Sequence, residues 1–480
     1  MRFSNVFFAA ALAALPLMAA ACGSDSSSDS PGGSGSGGSG ATGGGNTGGA
    51  SGSGTGGQAG GSTGGAAGSG GGTSCDLTTD KTEAILEGDL NADMTLTADK
   101  TWLLKGTVRV NDGATLKIEP CTKIKGDKAS LGTIVVERGG KIDAVGTKDE
   151  PILFTSALPA GSRSAGDWGG IILLGKAPNN EADFPSIEGL TTNEAYGGTE
   201  PADSSGKMSY VRIEYSGVEI GDGNEINGLT FGSVGSGTQI DHIMVSNTLD
   251  DCFEFFGGTV SATYLVCNNG GDDMFDGDQG FQGKLQFIFG IQRTPISDDP
   301  NGFEMDNDKT NPTVAPVSNP TIYNATLCGV NKDIPNQQYG AVFRRGFTGT
   351  FGNVILTGFE GGVDFRDVPP TSVDMMSSVF FGNSPANVAY AEDGSNTDTQ
   401  ADDDGAFDEI AWFNTAGKNN SETDPALSDC FAAIPKPQPA TEIAGATPPA
   451  GFDTSATYVG AFKDANDDWM TGAWIDWAPN

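Results

Sequence analysis

The chain has 480 residues, with 62 acidic side chains against 26 basic ones, a formal charge of −36 and a single histidine, His242. That length allows one large domain or two or three small ones. The charge balance argues against nucleic acid or anionic lipid head groups as partners, because phosphate binding runs on Lys and Arg. It suits a soluble surface among cations, or a cationic ligand.

The first stretch, MRFSNVFFAAALAALPLMAAAC, has one early positive charge at Arg2, an apolar run from Val6 to Leu17, and small residues up to Cys22. This is the layout of an export signal. Ala19-Ala20-Ala21-Cys22 resembles the lipobox of bacterial lipoproteins, with Ala19 where Leu is usual. The resemblance implies a signal peptide over 1–21 and a lipid on Cys22. With Gly23 rather than Asp after the cysteine, it also implies an outer-membrane address, facing the cell surface. From Gly23 to Ser74 the chain is nearly half Gly, the rest mostly Ser, Thr and Ala. Such a segment cannot bury enough surface to offset its ordering entropy and reads as a disordered tether. As a Gly/Ser coil it would reach about 40 Å. No later run of 18 apolar residues suggests a membrane span.

Setting Cys22 aside leaves Cys75, Cys121, Cys252, Cys267, Cys328 and Cys430. An even number in an exported chain favours disulfides, and no C-x-x-C spacing points to zinc. The expected pairs are Cys252–Cys267 as a local staple, Cys75–Cys121 at the N-terminal end, and Cys328–Cys430 tying the C-terminal region back.

From Cys75 onward the chain reads as one domain of short strands, 75–480, closed by a C-terminal cap. TVRVNDGATLKIEP alternates Val108 and Val110, then Leu116 and Ile118, around a Gly turn. Later segments repeat the scheme, with Gly, Asn and Asp between strands. A fixed step then emerges. Asp250, Asp251, Phe253 and Glu254 are followed 22 residues on by Asp272, Asp273, Phe275 and Asp276. Ile243, Leu265 and Phe287 keep the same step, as do His242, Tyr264 and Gln286, which suggests a solvent-facing ladder. Repeats of this size with strands in each unit indicate a solenoid.

The V-x-V-x-x-G-A-x-L-x-I rhythm and the PILFTS ending resemble the right-handed parallel β-helices of the pectate-lyase-like superfamily. DWGGIILLGKAPNN, YVRIEYSG, EINGLTFGSVGSGTQIDHIMVSN, DDCFEFFGGTV, VFRRGF and DDWMTGAWIDW are similar to a family of bacterial surface lipoproteins without established activity. The resemblance runs from about Thr95 to the C-terminus. It implies an all-β, right-handed parallel β-helix after the tether.

DDCF also resembles the Asp-Asp-Cys segment of polygalacturonase-type glycoside hydrolases, in which paired carboxylates act as acid and base. Asp250 and Asp251 are the matching positions. The Gly-His-Gly and Arg-x-Lys of that family are missing, and the Asp pair recurs one unit later. A lyase needs an Arg or Lys base near a cation; Arg344, Arg345, Lys284 and Arg366 are available, though Arg344 and Arg345 read first as partners of Glu304, Asp306 or Asp364. Two acidic runs, SDDPNGFEMDND and ADDDGAFDE, lack EF-hand spacing and read as solvated turns; NGFEMD also looks like a further rung of DCFEFF. Trp469, Trp474 and Trp477 read as a cap over the last rung.

If the 22-residue step is one coil, like carboxylates stack at about 4.8 Å, the ordinary strand spacing. Such neighbours repel by on the order of 1 kcal/mol even in water. Oxygen-rich clusters on tight turns suit Ca²⁺, which takes six to eight oxygens. Asp250, Asp251, Glu254, Asp272, Asp273, Asp276 and Asp278 are therefore the candidate ligand pool. The functional reading is a non-catalytic outer-membrane lipoprotein that binds or adheres at the cell envelope, with polysaccharide and Ca²⁺ as ligands and no nucleic acid. The competing readings are a polysaccharide lyase or glycoside hydrolase on the same scaffold, and a structural surface-layer or matrix component.

Overall fold

Alternation and repeat resolve into the coils of a right-handed parallel β-helix. The computed structural model describes residues 75–480, except 182–183, 191, 222–223, 296, 298, 333–337, 367–372 and 390–406. The export signal, Cys22, the tether, Asp298 and Asp402 to Asp404 lie outside the described residues.

Each central coil contributes a three- or four-residue strand to one sheet and an eight- or nine-residue strand to another. The short strands, among them Leu229–Gly232, Phe253–Phe256, Phe275–Asp278 and Phe303–Met305, form a parallel sheet of nine. The long strands, among them Gly206–Glu214, Gln239–Ser246, Ser261–Asn268, Lys284–Ile291, Thr321–Cys328 and Gly349–Thr357, stack beside one another in chain order. Because side chains alternate across a strand, every second residue enters the interior. Phe231, Phe253, Phe255, Phe275 and Phe303 fill it, fully buried. Their rings stack from coil to coil: Phe231 on Phe255 at 4.6 Å, Phe253 on Phe275 at 5.2 Å.

The long strand turns a corner at one residue per coil. Tyr210, His242, Tyr264, Phe287, Asn324, Asn353 and Ser377 all have φ between 48° and 59°. The left-handed residue is skipped in the pairing, so Asp241 pairs Thr263 and Ile243 pairs Leu265. It acts as a one-residue bulge that re-aims the strand, letting both Ile240 and Ile243 point inward. Asn tolerates this conformation, whereas bulky residues adopt it at a cost. Stacking offsets part of that cost: Tyr210–His242, His242–Tyr264 and Tyr264–Phe287 ring centroids lie 4.2, 4.4 and 4.8 Å apart.

The step of 22 holds from Gln239–Ser246 to Ser261–Asn268, but the next long strand is displaced by one residue. Leu265 pairs Ile288, Cys267 pairs Gly290, and Tyr264 stacks on Phe287 rather than Gln286. An extra residue in the turn 279–283 causes the slip. The His242 column is also not solvent-facing, because the C-terminal segment covers it. Trp474 is fully buried, edge-on to Tyr210 at 5.9 Å and His242 at 5.2 Å, and Trp469 meets Tyr264 edge-on at 5.4 Å.

The tryptophans therefore do not cap the last rung. From Gly445 the chain runs back along the corner column. Asn353 Nδ2 donates to Ala446 O at 2.9 Å, Asn324 Nδ2 donates to Tyr458 O at 2.7 Å, Arg212 pairs with Asp476 at 2.6 Å, and Tyr215 OH donates to Pro479 O. The final coils are closed instead by the short helix Glu409–Phe413. Its Phe413 stacks on Phe380 at 4.3 Å, and Asp408 caps it by accepting from Ala411 N at 2.8 Å. Cysteines join as Cys75–Cys121, Cys252–Cys267 and Cys328–Cys430. The second links a short strand's turn to the neighbouring long strand, and the third ties the chain ahead of the returning segment to the long strand Thr321–Cys328. The described residues from Cys75 to Asn480 form one compact unit.

Candidate functional site

The outer face of the short sheet carries the residues that alternate with the interior Phe column. In register these are Thr230, Glu254, Asp276, Glu304, Val342 and Asp364. The stacked carboxylates of the sequence are thus neighbours across adjacent coils, and NGFEMD is the next rung, with Phe303 on Phe275 and Glu304 on Asp276.

The turn before each short strand carries a second column. Asn227 Oδ1 accepts from Asp251 N at 3.2 Å, Asp251 Oδ1 from Asp273 N at 2.8 Å, Asp273 Oδ1 from Asn301 N at 2.5 Å, and Asn301 Oδ1 from Tyr339 N at 3.0 Å. Each side chain satisfies a backbone donor of the following coil, as buried backbone groups require. Asn and Asp serve this ladder alike, because it uses one acceptor oxygen. Asp251 and Asp273 are accordingly 5% and 3% exposed; Glu304, Asp306 and Asp308 of the run SDDPNGFEMDND are buried as well, so these three are not the solvated turn residues expected.

Five of the seven candidate acids converge in two triads. Oxygens of Asp250, Asp251 and Asp272 lie within 4.8 Å of one another, as do oxygens of Asp251, Asp273 and Asp276, so Asp251 belongs to both. Two oxygens each about 2.4 Å from one Ca²⁺ are at most about 4.8 Å apart, so both triads have the span of such an ion. All the donors are hard carboxylate oxygens. Asp276 Oδ1 is buried and without a hydrogen-bond partner. Glu254 and Asp278 stand beside the triads rather than in them. Glu254 accepts from Asn227 Nδ2, and Asp278 accepts from Gln279 N at 2.5 Å.

The electrostatics follow from burial. Desolvation first, then the charges of Asp272 and Glu188, pushes Asp250 well above the usual carboxylate range. Asp251, Glu254 and Asp273 are pushed well up too, by burial and then by Asp250, Glu188 and Asp272 respectively. Asp276 is raised to about 7 by burial and Asp278, although Arg344 and Arg345 oppose the shift. Burial likewise lifts Asp278 to about 6 against the Gln279 hydrogen bond and the two arginines. Carboxylates so placed need protons or a cation.

Sequence reasoning missed the acids that approach from outside the repeat. The long connection 175–205 and the hairpin Val218–Gly221 with Asn224–Ile226 cover the N-terminal half of this face. There Ile187, Tyr196 and Ile226 pack on Val135, Ile172, Leu174 and Phe256. Glu188 from the connection reaches Glu254 and is pushed up to about 8 by burial and then by Glu225. No periodic signal announces Glu188 or Glu225. Asn227 and Asn301 were legible, since N-G-L-T-F and N-G-F-E-M align with D-C-F-E-F.

The arginines are committed. Arg344 bonds Glu304 and, at 2.8 Å, Asp306; Arg345 bonds Asp306 at 2.5 Å; Arg366 pairs with Asp299 and, at 2.6 Å, with Asp364. The partner of Asp364 is thus Arg366 rather than Arg344 or Arg345. Lys284 lies elsewhere, on the long sheet, donating to Ala450 O at 3.1 Å. Asp308 caps a turn by accepting from Thr310 and Asn311. His242 belongs to neither triad, and its Nδ1 lies 2.7 Å from Asp241.

The model of the pectate-lyase-like β-helix domain family matches residues 88–425. No curated protein and no solved structure matches the chain.

Proposed function

The chain belongs to the pectate-lyase-like β-helix domain family, and from that premise we propose that it is a non-catalytic binding head at the cell envelope. Its acid face holds Ca²⁺ and engages polysaccharide. A lipid on Cys22 anchors it to the outer membrane, and the Gly/Ser-rich tether stands the head off that membrane. The observation that carries this reading is the pair of carboxylate triads sharing Asp251. A hard divalent cation relieves the repulsion among these buried acids and ties adjacent coils together. The pieces of acid–base machinery are otherwise employed: Asp251 and Asp273 hold the turn ladder, and Arg344, Arg345 and Arg366 are ion-paired.

A lyase is the competing reading, because Arg344 and Arg345 lie close enough to act on the charge of Asp276, and a base beside a cation is what β-elimination needs. One set of measurements separates the two. In thermal melts, Ca²⁺ raises the midpoint relative to chelator, by about 2.7 kcal/mol of stabilisation at a hundredfold excess over Kd. Elemental analysis of the dialysed protein finds calcium. A panel of acidic polysaccharides is retained without unsaturated-uronate absorbance. An unchanged midpoint with no calcium removes the metal reading, and unsaturated product transfers the site to the lyase reading. Intact mass of the membrane-extracted protein tests the lipid: an unmodified N-terminus at Cys22 or later overturns the anchor.

A further inference from the structure

A different carboxyl pair lies away from the triads, where connection 175–205 crosses the apolar half of the short sheet's outer face. Glu137 follows the strand Thr133–Val136 and faces Glu194 of the connection. Arg109 stands between them. Its Nε donates to Glu194 Oε1 at 2.7 Å, and its Nη2 donates to Thr192 Oγ1 at 2.9 Å; that hydroxyl donates on to Glu194 Oε1 at 2.8 Å. The guanidinium is thereby spent on the Glu194 side. Its approach to Glu137 is 4.0 Å, past hydrogen-bond length. Glu137 Oε1 is buried and meets no donor. Asp89, 3.7 Å from Arg109, brings a third carboxylate to the same cation.

One guanidinium thus serves three carboxyl groups, and the buried Oε1 of Glu137 lacks a donor. Only a proton placed between Glu137 and Glu194 turns their contact into a bond. We propose that Glu137 and Glu194 form a proton-operated clasp, which fastens residues 192–195 of the connection to the β-helix when the proton is shared and releases them when it is lost. The charged groups facing Glu137 are Arg109 from the preceding coil, Asp89 from the coil before that, and Glu194 from the connection. Their balance agrees with the geometry. Burial, then the hydrogen bond and charge of Glu194, lift Glu137 to about 7, outweighing Arg109. Glu194 is desolvated too, yet the hydrogen bonds from Glu137, Thr192 and Arg109 hold it below the usual carboxylate value. The proton therefore sits on Glu137 and is donated to Glu194.

The sign follows. An acid whose pKa rises on docking favours the docked state at low pH. That contribution is complete below the ordinary value of 4.5 and is lost as the pH climbs to about 7. The release is local, because Ile187 and Tyr196 remain packed on the apolar face and the Arg138 guanidinium stays 4.5 Å from the Phe184 ring.

Hydrogen exchange of the full chain, at pH 5.5 and 8.5 in chelator and corrected for intrinsic rates, reads the clasp directly. Peptides covering 192–195 are expected to open more at the higher pH, by on the order of tenfold, the effect of about one unit of differential protonation. The strand Thr321–Cys328 serves as the reference. In Glu137→Gln the amide donates to Glu194 at every pH, so the rise disappears while the reference strand is unchanged. Glu194→Gln, which removes the second charge, flattens the profile as well. A wild-type profile equal at both pH values overturns the clasp. So does a Glu137→Gln profile that still rises, which would assign the loosening to the carboxylate triads instead.

Discussion

Two columns of like side chains run along this β-helix, and they face opposite problems. On the corner of the long strands, Tyr210, His242, Tyr264 and Phe287 stack ring on ring. On the outer face of the short sheet, Glu254, Asp276 and Glu304 stack carboxyl on carboxyl. The same parallel register creates both, since it sets each residue over its equivalent one coil away. For rings that proximity is favourable, by about 0.5–1.5 kcal/mol per pair beyond burial. For carboxylates it is unfavourable and grows with desolvation. A parallel solenoid thus amplifies whatever chemistry it repeats. The aromatic column is finished by covering it with the returning segment, whereas the acidic column is finished only by a proton, an arginine or a cation.

Breaking the aromatic column has the largest expected effect. Trp474 is fully buried against Tyr210 and His242, so Trp474→Ala is expected to cost about 3–5 kcal/mol, measured by denaturant unfolding. The loss should be the same with calcium and with chelator, because the site of damage is the corner and not the acid face.

The acidic column is expected to respond to pH instead. Asp276 and Asp278 have folded values raised from 3.8 to about 7 and about 6. A raised acid contributes stability that is complete below its unfolded value and is lost as pH rises through the folded one. In chelator the melting midpoint should therefore fall as pH rises from 4 to 7, by several degrees. Calcium should flatten that fall at the alkaline end, where the acids are ionised. A midpoint that climbs with pH in chelator would contradict the buried-acid account.

The smallest effect sharpens the comparison most. Asp251→Asn keeps the acceptor that Asp273 N requires, just as Asn227 and Asn301 do in the same ladder, and removes a charge common to both triads. In chelator the variant should be more stable than wild type by about 1 kcal/mol. With calcium that advantage should reverse, because each triad has lost a ligand. Melts of both proteins with and without calcium test the crossing.

Much of this was readable from residues alone. The 22-residue recurrence of Asp-Asp-x-Phe followed by an acid placed Asp250 to Glu254 over Asp272 to Asp276, since chemical character in register is what stacked coils preserve. The three cysteine pairs were also accessible, and so were Asn227 and Asn301 from the same alignment. The step failed after Asp278 because a turn can absorb one residue without disturbing the flanking pleat. Glu188 and Glu225 were invisible for a related reason: they ride on segments that interrupt the repeat.

The sequence by itself determined the solenoid, because periodic apolar residues and turn residues are local and repeat in order. It also determined which acids share a column. Only the tertiary structure decided that those acids are buried, that Asp251 and Asp273 serve a backbone ladder, and that the C-terminal tryptophans cover a side of the helix rather than its end. Burial depends on what a non-repeating segment folds over, and that contact joins residues hundreds of positions apart, such as Arg212 with Asp476, which no local pattern encodes.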